Sequence, residues 1–180
     1  MSAPAPDDTS PEDAEARVRA HLEQLGVEHE IIPCDPSLAD TAAFCAAYGY
    51  EPEESANTIL VVGKGEPPSY AACVVLAHTR LDVNRTVRRR LGAKKASFAD
   101  PDQTKAITGM MIGGVTALGL PDGVPIWVDA RVVERGRIVL GGGSRSCKVV
   151  GPPTLLTAQP GVEVVDGLAL DPPATEPPAT

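Results

Sequence analysis

The most informative segment of this 180-residue chain is Thr108-Gly109-Met110-Met111-Ile112-Gly113-Gly114-Val115-Thr116. Glycines lack a Cβ atom, so the backbone can adopt positive φ angles and approach a ligand closely. Main-chain N–H groups exposed in such a segment form concave sites for an oxyanion. An ordinary turn between a helix and a strand uses the same glycines. We therefore predict either one wall of a pocket here or a plain turn.

A second glycine-rich segment, Leu140-Gly141-Gly142-Gly143-Ser144-Arg145, follows later in the chain. Three successive glycines exceed what a hairpin needs and favour a second backbone wall, with Ser144 and Arg145 as hydrogen-bond donors. A flexible hairpin loop is the alternative. Neither segment matches the P-loop pattern GxxxxGK[ST] or the dinucleotide pattern GxGxxG.

A polar pair, Asn57 and Thr58, begins an otherwise apolar strand predicted over residues 57–62. The apolar run is typical of a central strand covered on both faces, paired in a hairpin with a strand over 70–77. The polar pair would lie at the rim of the sheet, where pockets form. A strand-end cap is the alternative for Asn57.

The remaining elements follow from capping residues and apolar spacing. Ser10 and Asp13 form a capping-box pattern, and the helix that begins there would end at Gly26. Further helices are predicted over 40–48, 83–91 and 101–107, and further strands over 27–32, 96–98, 126–129, 137–140 and 147–150. This mixture, with hairpin-like connections in the second half, indicates an α+β fold with a mixed sheet. We expect one domain over residues 10–170, a disordered leader over 1–9 and a disordered tail over 171–180.

Charge is distributed unevenly along the chain. The net charge is -8, but residues 1–15 hold five acids and residues 160–180 hold four, with no base in either stretch. The bases of the middle section are densest at Arg85, Arg88, Arg89, Arg90, Lys94 and Lys95. A phosphate-binding surface and a solvated helix face both have this pattern.

Composition excludes several classes of protein. Six aromatic residues are few for a protein that stacks single-stranded bases. The four cysteines share no CxxC or CxxxC spacing, so we expect buried reduced thiols and neither a metal site nor a cofactor. No apolar run approaches the ~20 residues of a membrane helix, and no signal peptide is visible, so we expect a cytoplasmic protein without membrane contact.

The sequence contains no recognisable nucleophile motif. His21, His29 and His78 lie in no catalytic pattern, although His78 is the best placed because it follows the central apolar strand. A Gly-x-Ser-x-Gly elbow is absent. An enzyme built on this chain would therefore rely on a water molecule held by the backbone or on the substrate itself.

In chain order, these features resemble the YbaK/EbsC family, which is related to the editing domain of bacterial prolyl-tRNA synthetase. The similarity runs from about residue 25 to residue 150. Its motifs are Gly26-Val27, the strand over 57–62, Leu81-Asp82, Leu91-Gly92-Ala93-Lys94-Lys95, Ala99-Asp100-Pro101, Thr108-Gly109, Gly113-Gly114-Val115, Leu118-Gly119, Trp127-Val128-Asp129 and Gly141-Gly142-Gly143.

The resemblance implies a mixed, highly curved sheet with flanking helices and hydrolysis of the ester between a wrong amino acid and its tRNA. The terminal ribose hydroxyl of the tRNA would help the attack of water, and main-chain N–H groups would hold the oxyanion. The implied catalytic residues are Asn57, Gly113, Gly114 and Val115. Substrate contacts are expected from Thr58, His78, Thr116, Asp129, Gly142, Gly143 and Ser144. Phosphate contacts are expected from Arg88, Arg89, Arg90 and Lys94.

Two positions depart from the family pattern. Asn57 stands where the family usually has a lysine, and it keeps a donor but loses a charge-assisted bond. Ala117 stands where a proline commonly stiffens the glycine loop. The leading hypothesis is a trans-acting aminoacyl-tRNA deacylase whose partners are tRNA and a synthetase. The alternatives are a weakened module that binds tRNA, a synthetase or a small ligand, and a small-molecule hydrolase unrelated to RNA.

Overall fold

Residues 9–172 are described in a computed structural model of the chain. The predicted leader and tail lie outside this range, apart from Thr9, Asp171 and Pro172. The α-helices are α1 (Pro11–Leu25), α2 (Thr41–Tyr48), α3 (Arg88–Arg90), α4 (Pro101–Thr108), α5 (Ala130–Val133) and α6 (Thr154–Thr157). The strands are β1 (Glu30–Pro33), β2 (Ala56–Gly63), β3 (Ser69–Leu76), β4 (Arg80–Leu81), β5 (Ala96–Phe98), β6 (Ile126–Asp129), β7 (Ile138–Gly141), β8 (Cys147–Gly151), β9 (Val162–Val165) and β10 (Ala169–Leu170).

The largest sheet has five strands in the order β5-β2-β3-β6-β9. β2 and β3 form the predicted central hairpin, which pairs from Ala56 opposite Leu76 to Gly63 opposite Ser69. β5 also pairs antiparallel with β2, whereas β3 with β6 and β6 with β9 are parallel. The sheet is mixed, and the predicted α+β class is confirmed.

A smaller antiparallel sheet, β1-β8-β7, lies beside the start of β2. Ser55 forms a single bridge with Val139, and the Val139 N–H donates to the Glu54 carbonyl at 2.8 Å. This link places the polar beginning of β2 next to the β7–β8 hairpin. A two-stranded pair, β4 with β10, completes the sheets.

Both faces of β3 are buried, as the apolar run predicts. Val74 and Leu76 join the core that also holds Leu22 of α1, while Cys73 and Val75 join a second core around Trp127. Burying one such aliphatic side chain contributes ~1.5–3 kcal/mol. The central hairpin is therefore a rigid support for whatever lies at its ends.

Helix capping follows the sequence closely. Ser10 and Asp13 form the predicted capping box, and Gly26 ends α1 at φ 64°. Asp100 caps α4 in the same way, and Gly109 ends that helix at φ 71°. The chain therefore leaves α4 directly into the glycine-rich loop.

Asp82 begins a different structure from the helix predicted over 83–91. Its carboxylate accepts from the N–H groups of Arg85 and Thr86, and the Val87 N–H donates to its carbonyl at 3.0 Å, five residues back. The result is a wide π-type turn over Val83–Val87 followed by the single turn of α3. The sequence also did not predict five elements of two to four residues, which are too short for a periodic pattern: β4, α5, α6, β9 and β10.

Candidate active site

A cavity of about 250 Å³ lies where the start of β2 meets the β7–β8 hairpin. Its walls come from the segment that precedes α2, from β2, from the loop after α4 and from the hairpin. The lining residues are Ala39, Asp40, Thr41, Ala56, Asn57, Thr58, Ile59, Leu60, Ala99, Thr104, Ile112, Gly113, Val115, Gly141 and Lys148.

The two polar residues at the beginning of β2 both line this cavity. The Asn57 Oδ1 accepts from the Thr41 hydroxyl at 3.0 Å, while its Nδ2 has no partner among residues 9–172. The Thr58 hydroxyl is buried and also lacks a partner within that range. A buried polar atom without a partner is costly, so the Thr58 hydroxyl is suited to meeting a ligand. The Asn57 Nδ2 is also available, because it lines the cavity without a partner in that range.

The two glycine-rich segments pack backbone against backbone. A Cβ at Gly114 would lie 2.6 Å from the Ser144 Cα, and a Cβ at Gly141 would lie 2.9 Å from the Gly114 carbonyl oxygen. The Gly143 N–H donates to that same oxygen at 2.8 Å. Only glycine permits this approach, which explains why both segments carry glycine runs.

The N–H groups of the loop differ in whether they are already bonded. The Gly114 N–H donates to the Met111 carbonyl at 2.9 Å, so it is occupied within the loop. The N–H groups of Gly113 and Val115 have no acceptor in the described part of the chain, and both residues line the cavity. Two main-chain donors therefore remain for an anionic atom. The expected catalytic role of Gly114 stays a prediction, but its amide already serves the loop.

Lys148 is a cavity residue that sequence reasoning missed. It is buried in β8, and its Nζ donates to the Ala39 carbonyl at 2.7 Å and to the Gly113 carbonyl at 2.8 Å. Desolvation lowers the pKa of its ammonium group. The signal was a lone lysine in the apolar run Cys147-Lys148-Val149-Val150.

Arg145 packs against the loop but does not line the cavity. Its Nη1 donates to the Ile112 carbonyl at 3.0 Å and to Asp40 Oδ1 at 3.2 Å, and its Nε donates to the Pro36 carbonyl at 2.9 Å. Arg145, one of the two predicted donors of the second glycine segment, thus joins the stretch before α2 to the glycine loop.

None of the cavity residues is a cysteine or a histidine. All four thiols are buried, and desolvation raises the pKa of each, that of Cys73 to about 12. A thiolate nucleophile therefore has no place at this site. Asp40 and Lys148 are the ionisable side chains in the lining.

Residues 35–158 match the model of the family described as the aminoacyl-tRNA editing domain. The chain belongs to this family. A solved structure of a candidate trans-editing enzyme for prolyl-tRNA synthetase is similar to this editing domain, with 24% identity, a TM-score of 0.72, and coverage of 88% of this chain and 98% of that chain. A hypothetical protein has 21% identity and a TM-score of 0.76, with coverage of 86% and 99%. These similarities show the fold.

Four residues that we expected to shape the pocket lie behind its wall in this editing domain. The fully buried Thr116 hydroxyl accepts from the Leu118 N–H at 3.3 Å. The Ser144 hydroxyl donates to Glu15 and accepts from the Ser146 N–H. Gly142 packs on Cys147, and Gly143 packs on Ala14 of α1. Of the triple glycine, only Gly141 lines the cavity.

Asp129 and His78 also lie outside the cavity lining. The buried Asp129 carboxylate accepts from the Ala169 N–H at 2.8 Å and from the Arg131 N–H at 3.0 Å. It therefore caps α5 and attaches β10. His78 follows the end of β3, and its Nδ1 is buried without a partner among residues 9–172.

The basic surface is divided between free and engaged side chains. Arg89, Lys94 and Lys95 are exposed. Arg90 pairs with Glu163 and lies 4.7 Å above the Trp127 ring, so its guanidinium is already engaged. Arg88 donates through Nε to the Asn84 carbonyl. The expected phosphate contact of Arg90 stays a prediction, although its guanidinium is less available than the side chains of Arg89, Lys94 and Lys95.

Between residues 9 and 172, no helix has the length and apolar character needed to cross a membrane. Within the same range, no three His, Cys, Asp or Glu side chains are grouped so as to hold a metal ion.

Proposed function

We propose that this editing domain hydrolyses, in trans, the ester bond between an amino acid and a tRNA. The observation that carries the proposal is that Gly113 and Val115 line one cavity and that neither main-chain N–H has an acceptor among residues 9–172. Membership in the aminoacyl-tRNA editing domain family supports the substrate class. The absence of thiol and imidazole groups from the lining supports attack by water.

The proposed reaction has two steps. Water attacks the ester carbonyl carbon, assisted by the free hydroxyl of the terminal ribose, and the carbonyl oxygen becomes anionic. The Gly113 and Val115 N–H groups donate to this oxygen, and removing one donor of such a pair typically costs ~100–1,000-fold in kcat. The ester C–O bond then breaks, the ribose oxygen takes the proton, and free amino acid and tRNA leave.

Asn57 is the proposed contact to the ribose or the ester. Its Oδ1 is held by Thr41, which leaves the Nδ2 group to donate. A neutral donor forms weaker bonds than the lysine that the family pattern places here. Recognition at this position would therefore rest on geometry more than on charge.

The amino acid is proposed to be small, such as alanine or cysteine. The cavity measures about 250 Å³, and its lining includes Ala39, Ala56, Ala99, Gly113 and Gly141. An amino acid with a larger side chain would be excluded because that side chain would collide with the backbone of the lining.

The tRNA backbone is proposed to reach the cavity along β5. Lys94 and Lys95 precede this edge strand, and Ala99, which lines the cavity, follows it directly. The exposed Arg89 extends the same basic surface. Cationic side chains along this path would contact phosphates.

A deacylation panel tests the proposal. Purified protein is incubated with a set of mischarged tRNAs beside two variants, Gly113→Ala and Gly123→Ala. The φ angle is 94° at Gly113 and 92° at Gly123. Gly113 lines the cavity and lies against Arg145, whereas a Cβ at Gly123 would meet no described atom within 4 Å. Both variants place alanine at nearly the same positive φ, so Gly123→Ala controls for that effect, and only Gly113→Ala should abolish release of a small amino acid. Equal release by wild type and Gly113→Ala would refute the site.

A module that binds without hydrolysis is the second candidate, and the neutral Asn57 favours it. Asn57→Lys separates the two functions, with the exposed Asn84→Lys as the matched control. Faster deacylation by Asn57→Lys alone indicates an attenuated enzyme. Binding of tRNA with no release from any member of the panel, in wild type and in Asn57→Lys, supports the binding module.

A further inference from the structure

Three consecutive carbonyl groups of the glycine loop accept hydrogen bonds from one short segment, residues 143–148. The pairs are Ile112 O with Arg145 Nη1 at 3.0 Å, Gly113 O with Lys148 Nζ at 2.8 Å, and Gly114 O with Gly143 N at 2.8 Å. The hairpin, which lines the cavity through Gly141 and Lys148, thus also holds the glycine loop in place.

These bonds determine which way the free N–H groups face. In a planar trans peptide, the C=O and the following N–H point in opposite directions. Holding the Ile112 carbonyl toward Arg145 therefore turns the Gly113 N–H away from Arg145. Holding the Gly114 carbonyl toward Gly143 likewise turns the Val115 N–H away from Gly143.

A cation on the carbonyl side also strengthens the donor on the other side. Hydrogen bonds in a chain polarise one another, and a charged partner strengthens the effect. The Arg145 guanidinium acts on the peptide whose N–H belongs to Gly113. The charge of the guanidinium therefore polarises the Gly113 N–H, which faces the proposed ester-binding site, through one peptide group.

We propose that Arg145 is a positioning residue of the editing site, which orients and polarises the Gly113 N–H by holding the Ile112 carbonyl. This inference rests on the proposed hydrolytic function. The guanidinium is fixed for this task by Pro36 and Asp40, and a Cβ at Gly113 would lie 3.0 Å from its central carbon. Arg145 itself stays outside the cavity lining.

Steady-state deacylation by Arg145→Ala tests the proposal, using the mischarged tRNA that wild type hydrolyses best. Arg137→Ala is the control, because Arg137 is also ion-paired, with Glu54, and does not line the cavity. We expect kcat to fall roughly 10-fold or more in Arg145→Ala, with KM nearly unchanged, because the donor acts on the developing oxyanion. Added guanidinium at non-denaturing concentration should restore part of kcat in Arg145→Ala and none in Arg137→Ala.

A second measurement does not depend on activity. The amide ¹H and ¹⁵N resonances of Gly113 should move in Arg145→Ala, with the proton shifting upfield as its carbonyl partner is removed, and should return with guanidinium. An unmoved Gly113 resonance, or an unchanged kcat in an active wild type, would overturn the positioning role. A wild type inactive on every tRNA would instead count against the proposed hydrolysis, and the Gly113 resonance would still decide the role of Arg145.

Discussion

The Lys148 Nζ lies 2.8 Å from the Gly113 carbonyl oxygen, so a buried ammonium joins β8 to the loop that holds the proposed oxyanion site. The same nitrogen lies 2.7 Å from the Ala39 carbonyl in the segment that precedes α2. One side chain therefore fixes two walls of the cavity relative to each other.

Replacing Lys148 with methionine should destabilise the protein and slow deacylation. Each of the two carbonyls would lose its donor, at a cost of roughly 1–3 kcal/mol for a buried acceptor left unsatisfied. Urea unfolding measures the change, with the exposed Lys64→Met as the control. A Lys148→Met protein as stable as the control would mean that the two bonds contribute nothing net.

The Lys148 ammonium should also make stability depend on pH in alkaline solution. Desolvation lowers its pKa below the ordinary value of 10.5. Between the lowered pKa and 10.5, the unfolded chain binds more protons at this residue than the folded chain does. The contribution of Lys148 to the free energy of unfolding therefore rises with pH across that window.

Urea unfolding of wild type and Lys148→Met between pH 7 and 10.5 isolates this contribution, because the other titrating groups are common to both proteins. The free energy of unfolding of wild type minus that of the variant should increase with pH. A flat or falling difference would show that the ammonium is not destabilised by burial.

The sequence predicted the frame of this fold better than the details of its site. The β2–β3 hairpin and the caps at Ser10 and Asp100 follow from local patterns, namely a continuous apolar run and N-cap chemistry. β9 could not be predicted, because its four residues are held by parallel pairing with β6, which lies far away in the sequence.

The cavity, like the fold, could be predicted only where local sequence patterns report on it. The glycine pattern left a pocket wall or a plain turn open, and the family resemblance added Gly113 and Val115 as expected site residues. The structure explains the pattern, because close backbone approach there demands glycine. Spacing cannot show which N–H groups are already bonded, so it could not show that the Gly114 amide is occupied within the loop. Lys148 and Arg145 act across the gap between two loops, and only tertiary packing brings them to residues 112–113.

Replacing Thr58 with valine should separate stability from activity. The Thr58 hydroxyl is buried without a partner among residues 9–172, so its removal should leave the free energy of unfolding unchanged or slightly higher. Deacylation should fall roughly 3- to 10-fold if this hydroxyl bonds to substrate, which is the value of one neutral hydrogen bond.

Thr108→Val is the matched control for that experiment. The Thr108 hydroxyl is buried, donates to the Thr104 carbonyl at 2.7 Å and accepts from the Met110 N–H at 3.0 Å. Its removal should lower the free energy of unfolding by roughly 1–3 kcal/mol. Thermal unfolding and deacylation are measured on both variants. A Thr58→Val protein that lost stability and kept full activity would contradict the substrate contact assigned to the Thr58 hydroxyl.

The basic surface should affect tRNA binding through Lys94 and Lys95 and not through Arg90. The two lysines are exposed and form no ion pair among residues 9–172, whereas the likewise exposed Arg90 is held by Glu163 and the Trp127 ring. In the double variant Lys94→Gln/Lys95→Gln, the slope of log Kd against log salt concentration should fall by about 0.7–0.9 for each phosphate that the variant no longer neutralises.

Arg90→Gln should leave the slope unchanged and cost about 0.5–1 kcal/mol of stability, because glutamine cannot form the cation–π interaction with the ring. Filter binding from 50 to 300 mM salt measures the slopes. A slope reduced by Arg90→Gln but not by the lysine variant would place the tRNA path at α3 and not along β5.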